Sequence, residues 1–252
     1  MSESKNAPGE SVMRLGDIKD RPTSGGWTAA PARTLVDHVV NEILAAAARG
    51  QILPGERLIE KDLSASLNMS RVPIREALRV LESQGVVVSE PYKGIRLMDM
   101  SRERLEQILD VRATLETLAV TRAHEAGRLT PSNLGLLRRE IDEMRLMRDR
   151  GDIYGLASAD TAFHQCLVEL SGNHPLIALW RSLSRQLTVI IGLSAIDKAM
   201  DQIVAEHEKL LNTLNTGNLD AIRAELAEHI ITQIMSVDFD HLTKSPASPV
   251  RA

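Results

Sequence analysis

The sequence is short of aromatic residues. It carries only two Phe, two Tyr and two Trp in 252 residues. That scarcity argues against RNA-binding modules, which stack bases on aromatic platforms. It also disfavours all-β sandwiches and barrels, whose strands are rich in aromatics. Cysteine is scarcer still. Cys166 stands alone, so an intramolecular disulfide and a cysteine-based zinc site are both excluded. A lone thiol fits a reducing compartment. There is no run of about 18 apolar residues such as a membrane-spanning helix needs. Residues 1–30 lack the apolar core of a signal peptide. The expectation is a cytoplasmic protein with no membrane partner.

Leu, Ala, Arg and Glu are plentiful instead, which favours a mainly α fold. The net charge of −4 conceals a division. Residues 31–98 hold nine Lys/Arg against eight Asp/Glu, whereas residues 99–238 hold fifteen against twenty-one. The two stretches differ in charge and so in task. Composition and periodicity divide the chain into a disordered tail at 1–30, a first domain at 31–99, a helical domain at 100–238 and a second disordered tail at 239–252.

Leu35, Val36, Val39, Val40, Ile43, Leu44 and Ala47 recur at helical spacing, and Gly50 stops that helix. Leu53 to Glu56 is a turn, and a short helix is predicted at about 60–67. Ser70 is a good N-cap for a third helix that runs to about Gln84, with Pro73 in its first turn. Val86–Val88 and Ile95–Leu97 read as two strands joined by a turn at Pro91–Gly94. Three short helices and a two-stranded ribbon describe a winged helix-turn-helix. Arg71, Arg75 and Arg79 repeat every four residues, so they share one helix face, while Ile74, Ala77, Leu78 and Leu81 occupy another. Ser70 and the free N–H groups beside it can reach a phosphate, and Arg71 and Arg75 can reach guanine edges. Lys93 and Gly94 at the wing tip are placed to approach a groove. The alternative is an arginine face that merely meets solvent.

The run Pro54-Gly55-Glu56-Arg57-Leu58, then Leu63, then Ser70-Arg71-Val72-Pro73-Ile74-Arg75-Glu76-Ala77-Leu78, then Leu81-Glu82 and Gly85, resembles the N-terminal domain of GntR-family transcription regulators. The resemblance covers about 35–98. It implies that Lys61, Arg71, Arg75 and Gly94 approach operator DNA, with Ser70, Pro73, Arg79 and Lys93 completing the DNA-facing set. Lys61 stands where an arginine is commoner. A lysine keeps the charge on a phosphate but lacks the bidentate fork.

From about 101 to 237 only helical periodicity remains. Helices are predicted near 102–126, 131–149, 152–171, 175–195, 199–215 and 218–237, which suits an antiparallel bundle. Asp160 and His164 share the helix face of Leu156, Phe163 and Leu167. His207 lies in the stripe Ile203, Leu210, Leu211, Leu214, and His229 in the stripe Ile222, Leu226, Ile230. Four ligand-competent residues therefore point inward from three helices. Buried unpaired, each would be costly, and one divalent metal would satisfy all four. Three imidazoles and one carboxylate suit zinc, nickel, manganese or iron. The alternatives are hydrogen-bonded core histidines, with Asp160 paired to His164 or to an arginine such as Arg112. Arg112 and Glu116 are themselves spaced as an ordinary surface pair. His207-Glu208-Lys209-Leu210-Leu211 begins like a metallohydrolase HExxH motif, but Leu211 replaces the second histidine.

The stretches Asp110 to Glu116, Asp160 to His164, Ser171 to Leu176, Glu206-His207 and His229 resemble the FCD effector-binding domain, which defines the FadR subfamily of GntR regulators. The resemblance spans about 103–237. It implies a metal, often zinc, on Asp160, His164, His207 and His229, and a small carboxylate effector completing the coordination. Arg112 would contact that effector, with Glu116 beside it. Members that take long acyl chains lack this ligand set. The resemblance further implies a homodimer on a palindromic double-stranded operator, most often as a repressor. Two rivals remain: a metal-dependent hydrolase on a helical bundle, and a regulator whose metal is purely structural.

Overall fold

The structure is a computed structural model, and it describes residues 34–232. The two expected tails and the last residues of the predicted 218–237 helix lie outside the described residues. The chain order is α1 (Leu35–Ala48), α2 (Glu60–Ser66), α3 (Arg71–Ser83), β1 (Val87–Glu90), β2 (Gly94–Leu97), α4 (Arg102–Glu125), α5 (Pro131–Arg150), α6 (Ile153–Glu169), α7 (His174–Asp197), α8 (Met200–Asn215) and α9 (Leu219–Ala227). A π-helical turn, Glu228–Thr232, follows α9.

Residues 35–97 form a winged helix-turn-helix. The inward stripes of α1 and α3 meet in a core of Val39, Val40, Ile43, Ile74, Ala77, Leu78 and Leu81, all buried. The strands pair antiparallel with Val87 opposite Leu97 and Glu90 opposite Gly94. The segment 55–58 lies along the other edge of β2: Leu58 N donates to Ile95 O at 2.9 Å and Leu97 N to Glu56 O at 3.0 Å. This third segment ties Arg57 to the wing. β1 begins one and ends two residues later than expected, and β2 begins one residue earlier but ends at Leu97 as expected, because pairing rather than residue type sets a strand end.

Helices α4 to α9 form the bundle. Their starts follow sequence signals: Thr130, Asn173 and Asn218 each accept a cap hydrogen bond from Asn133 N, Leu176 N and Ala221 N. Residues His174–Ile196 of α7 are long and apolar enough to cross a membrane by length and composition. They serve instead as a core helix, packed against α1, α4 and α6. Trp180 and Ile190 on it are completely buried.

At Gly192, α7 passes close to the C-terminal end of α1. A Cβ there would lie 2.5 Å from Ala48 Cβ and 2.8 Å from Ala48 O. Gly135, inside α5, has nothing within 4 Å of an added Cβ. The same substitution should therefore have opposite signs. Gly135→Ala is expected to stabilise by up to about 1 kcal/mol through helix propensity. Gly192→Ala is expected to destabilise by about 1–3 kcal/mol through overpacking. Urea unfolding of the two variants checks both.

Candidate metal and DNA-binding sites

Three histidines from distant parts of the chain meet inside the bundle. His164 comes from α6, His207 from α8 and His229 from the π-helical turn after α9. One nitrogen of each lies within 4.8 Å of the others. His164 Nε2 and His229 Nε2 approach to 3.1 Å. Asp160, one turn before His164, places Oδ2 at 3.2 Å from His207 Nε2 and Oδ1 at 4.0 Å from His164 Nε2. All four side chains are buried. The ring of Phe163 makes T-shaped contacts with the rings of His164 and His207.

Hydrogen bonds behind the rings orient them. His207 Nδ1 donates to the carbonyl of Ile203 at 2.8 Å. A carbonyl only accepts, so Nδ1 carries the proton and the neutral ring turns the lone pair of Nε2 inward. Burial pushes His207 down to about 4, against the pull of Asp160, so the ring is neutral at neutral pH. Its inward neighbour is a carboxylate oxygen, which also offers only lone pairs. Accordingly His207 Nε2 and Asp160 Oδ1 are buried without a hydrogen-bond partner. His229 is likewise held well below its ordinary range, first by burial and then by the positive charge and rings around it. A cation is what such converging lone pairs lack, and Asp160, His164, His207 and His229 are the residues that could hold one.

Glu116 sits behind His164. Its Oε2 lies 2.6 Å from His164 Nδ1, and its Oε1 accepts from Arg112 Nε at 2.8 Å and from Trp180 Nε1 at 3.0 Å. Burial alone would raise its pKa, but His164 and Arg112 outweigh it and hold the carboxyl at about 2. The pair Arg112–Glu116 is thus not a surface pair: their side chains are 3% and 0% exposed. Glu116 also differs from the expected effector contact, since both oxygens are engaged in orienting neighbours. Arg112 does reach the small cavity beside the cluster, together with Asp160, Ser194, Lys198, Glu206 and His229.

Helix α7 joins this cavity to the DNA-reading half. Ile191, Ser194 and Lys198, at its C-terminal end, line the cavity. Two turns earlier, Arg185 Nη1 donates to Gln84 Oε1 at 2.5 Å and Gln186 Nε2 to Gln84 O at 2.8 Å. Gln84 is the C-cap of α3, the helix that carries the arginines.

On that helix Arg71, Arg75 and Arg79 are exposed along one face. Ser70 occupies the N-cap position, but its hydroxyl makes no cap hydrogen bond, contrary to the sequence reading. It is exposed and lies at the helix end where free N–H groups attract anions. Pro73 requires a correction. It is buried with Ile74 in the head's core, because the third residue of α3 falls on the inward face. It fixes the helix start rather than facing solvent. Two of the expected cations are held by carboxylates: Arg75 Nε donates to Glu60 Oε2 at 2.7 Å, and Lys93 Nζ lies 2.7 Å from Glu90 Oε2. Lys61 is exposed on α2. At the wing, Gly94 has φ +80°, and a Cβ there would meet Arg57 Nε at 3.0 Å. Both facts favour glycine. Sequence reasoning passed over Arg57 and Tyr92. Tyr92 has φ +65° and projects fully into solvent at the wing tip. The only cue was their place in Pro-Gly-Glu-Arg and Pro-Tyr-Lys-Gly.

A winged head with an exposed arginine helix, set on an all-helical bundle with a buried polar cluster, is the architecture of a DNA-binding regulator. Comparison with known proteins agrees. Residues 35–97 match the family described as bacterial regulatory proteins, gntR family, and residues 107–232, half of the chain, match the FCD domain. The chain belongs to the GntR family of transcription regulators and carries an FCD domain. It is 28% identical over 78% of its length to a protein named "Probable D-xylose utilization operon transcriptional repressor" from Paenarthrobacter nicotinovorans, covering 81% of that protein. It is 28% identical over 77% of its length to the HTH-type transcriptional regulator McbR of Escherichia coli K12, covering 89% of it. The solved structure of E. coli McbR/YncC shares the fold, with a TM-score of 0.65 at 24% identity over 81% of this chain and 97% of that one. These families and relatives are transcription regulators, which sets the hydrolase reading aside. GntR regulators bind operator DNA, and the mainly α architecture expected from the sequence is the one found.

Proposed function

We propose that this chain is a repressor whose operator affinity is set by a small organic acid bound at a divalent metal in the bundle. The carrying observation is the set of inward lone pairs on Asp160, His164, His207 and His229, two of which lack any hydrogen-bond partner. Bound there, zinc, nickel, manganese or iron supplies Lewis acidity toward a carboxylate. Arg112 offers the same carboxylate its guanidinium, because Glu116 engages Nε and the side chain lines the cavity. The repressor sign is supported by the name of the Paenarthrobacter relative.

The DNA-reading domain is taken as 31–99 and the sensor as 100–238. Two copies form a two-fold dimer that reads a palindromic operator in the cytoplasm. Ser70, Arg71, Arg75 and Arg79 meet one half-site, with Lys61, Lys93 and Gly94 against the backbone. Arg75 and Lys93 exchange Glu60 and Glu90 for phosphate or base. The effector acts by population shift: it must favour one arrangement of the heads over another. Helix α7 is the mechanical link, since its cavity end and its Gln84 end move as one rigid element.

The test is operator binding by the zinc-loaded chain, followed by fluorescence anisotropy, with acids that raise its thermal midpoint. Such an acid is expected to weaken operator binding by about 5- to 150-fold, the usual range of coupling. An acid that stabilises the protein yet leaves operator affinity unchanged overturns the reading. The cavity holds about 20 Å³, room for a single water, which favours the rival of a structural metal without an effector. Zinc stabilising the chain while no acid adds anything would support that rival.

A further inference from the structure

The effector reading can be narrowed to one chemical class of acid, a narrowing that rests on that reading. The cavity beside the histidines is lined in part by an ion pair. Lys198 Nζ lies 2.5 Å from Glu206 Oε2, with side chains only 9% and 16% exposed. Lys198 caps the C-terminus of α7 and Glu206 is on α8, so the pair bridges the two helices at the point where α7 ends. Gln202 Nε2 fixes the other oxygen of Glu206 at 3.0 Å. Ser194, buried in the same wall, donates to Ile191 O at 2.8 Å and keeps its lone pairs for a further donor.

The charges around this cavity can be counted. The cations are Arg112 and Lys198, and the carboxylates are Glu116, Asp160 and Glu206. Ligating imidazoles are neutral. The protein therefore contributes a net −1, which a divalent ion turns to +1. One carboxylate brings the buried site to neutrality. A second would leave an uncompensated negative charge in a low-dielectric interior, which is costly. A hydroxyl brings no charge. It can accept from Lys198 and donate to Glu206 at once, entering between them without breaking the charge balance. An unsubstituted acid would part the pair and offer it nothing, and a site built to hydrogen-bond rejects a partner lacking the group.

We propose that Lys198 and Glu206 are specificity-determining residues that select short hydroxylated monocarboxylates over both plain acids and diacids of the same length. A cavity of about 20 Å³ takes a water and no organic acid, so admitting the ligand requires this pair to part.

Isothermal titration calorimetry on the full zinc-loaded chain tests this with three three-carbon probes: propionate, racemic glycerate and malonate. Glycerate is expected to bind the unmodified protein about 10-fold or more tighter than either of the others, the effect of hydrogen bonds to charged groups. Lys198→Met keeps the side-chain length and Glu206→Gln keeps its shape. Each is expected to bring glycerate to within about 3-fold of propionate, because the change of charge acts on both acids alike and only the hydroxyl's advantage is lost. A thermal midpoint with zinc, measured on both variants, confirms that the fold is intact, and Glu206→Gln is the conservative fallback if Lys198→Met unfolds. If glycerate shows no advantage, or malonate binds tightest, the inference falls and the effector reading stands. A variant that keeps the full preference for glycerate removes the assignment to this pair. If none of these or the other short acids binds the unmodified chain, the effector reading itself falls and takes this inference with it.

Discussion

Glu116→Ala is expected to lower the unfolding free energy of the metal-free chain by about 3–5 kcal/mol, the cost of leaving one partner of a buried ion pair alone. Few single substitutions should do more damage. Arg112 is 2% exposed and would keep its charge without a counterion. Trp180 Nε1 and His164 Nδ1 would lose their partner as well, and both side chains are completely buried. Glu116→Gln keeps the volume and one acceptor, so its cost should be clearly smaller. Its effect on metal should persist, because an amide no longer holds His164 with a negative charge. Loss of such an orienting partner weakens metal affinity by about 10- to 100-fold. Urea unfolding with chelator, then with zinc, separates the two effects. A loss below about 1 kcal/mol in Glu116→Ala would mean that the Arg112–Glu116–His164 chain is not formed in solution.

The other large effect concerns DNA. The double variant Arg71→Ala, Arg75→Ala should lose operator affinity by on the order of 10²–10⁴-fold, since each bidentate base contact is worth about 1–3 kcal/mol. Both side chains are exposed, and the pairing of Arg75 with Glu60 is a partly exposed one, so stability should change little. Lys61→Ala gives the contrast. A lysine on phosphate should weaken binding to all sequences alike and reduce the slope of log affinity against log salt by about 1. Fluorescence anisotropy over a salt series reads both. Unchanged specific binding by the double variant would remove α3 as the reading helix.

The helices were legible because their apolar residues recur at 3.6-residue spacing; the caps Thr130, Asn173 and Asn218 emerged only with the structure. The four inward ligands were legible for the same reason, as polar residues standing in apolar stripes. Contacts across the chain were not. Glu116 and His164 are 48 residues apart, and nothing local says that one orients the other. Spacing alone left an ordinary surface pair open as the alternative for Arg112 and Glu116, because an i,i+4 pattern records a shared face and not what covers it. The π-helical turn at Glu228–Thr232 was also hidden: the stripe Leu226, His229, Ile230 fits an uninterrupted helix equally well. At the head, Pro73 was misplaced because a helix-start residue can face either way. The pairing of Lys93 with Glu90 depends on the register of β1 and β2, which two four-residue strands do not announce.

Metal content is the most direct test of the central claim, that Asp160, His164, His207 and His229 form one metal centre. The full chain, dialysed against zinc and then against metal-free buffer, is analysed by elemental mass spectrometry beside His164→Ala and His207→Ala. One divalent ion per chain is expected in the unmodified protein, and under about a tenth of that in either variant, since four-coordinate sites depend on every ligand. A folded, unmodified chain that retains no metal, or variants that retain as much as it does, would contradict the account.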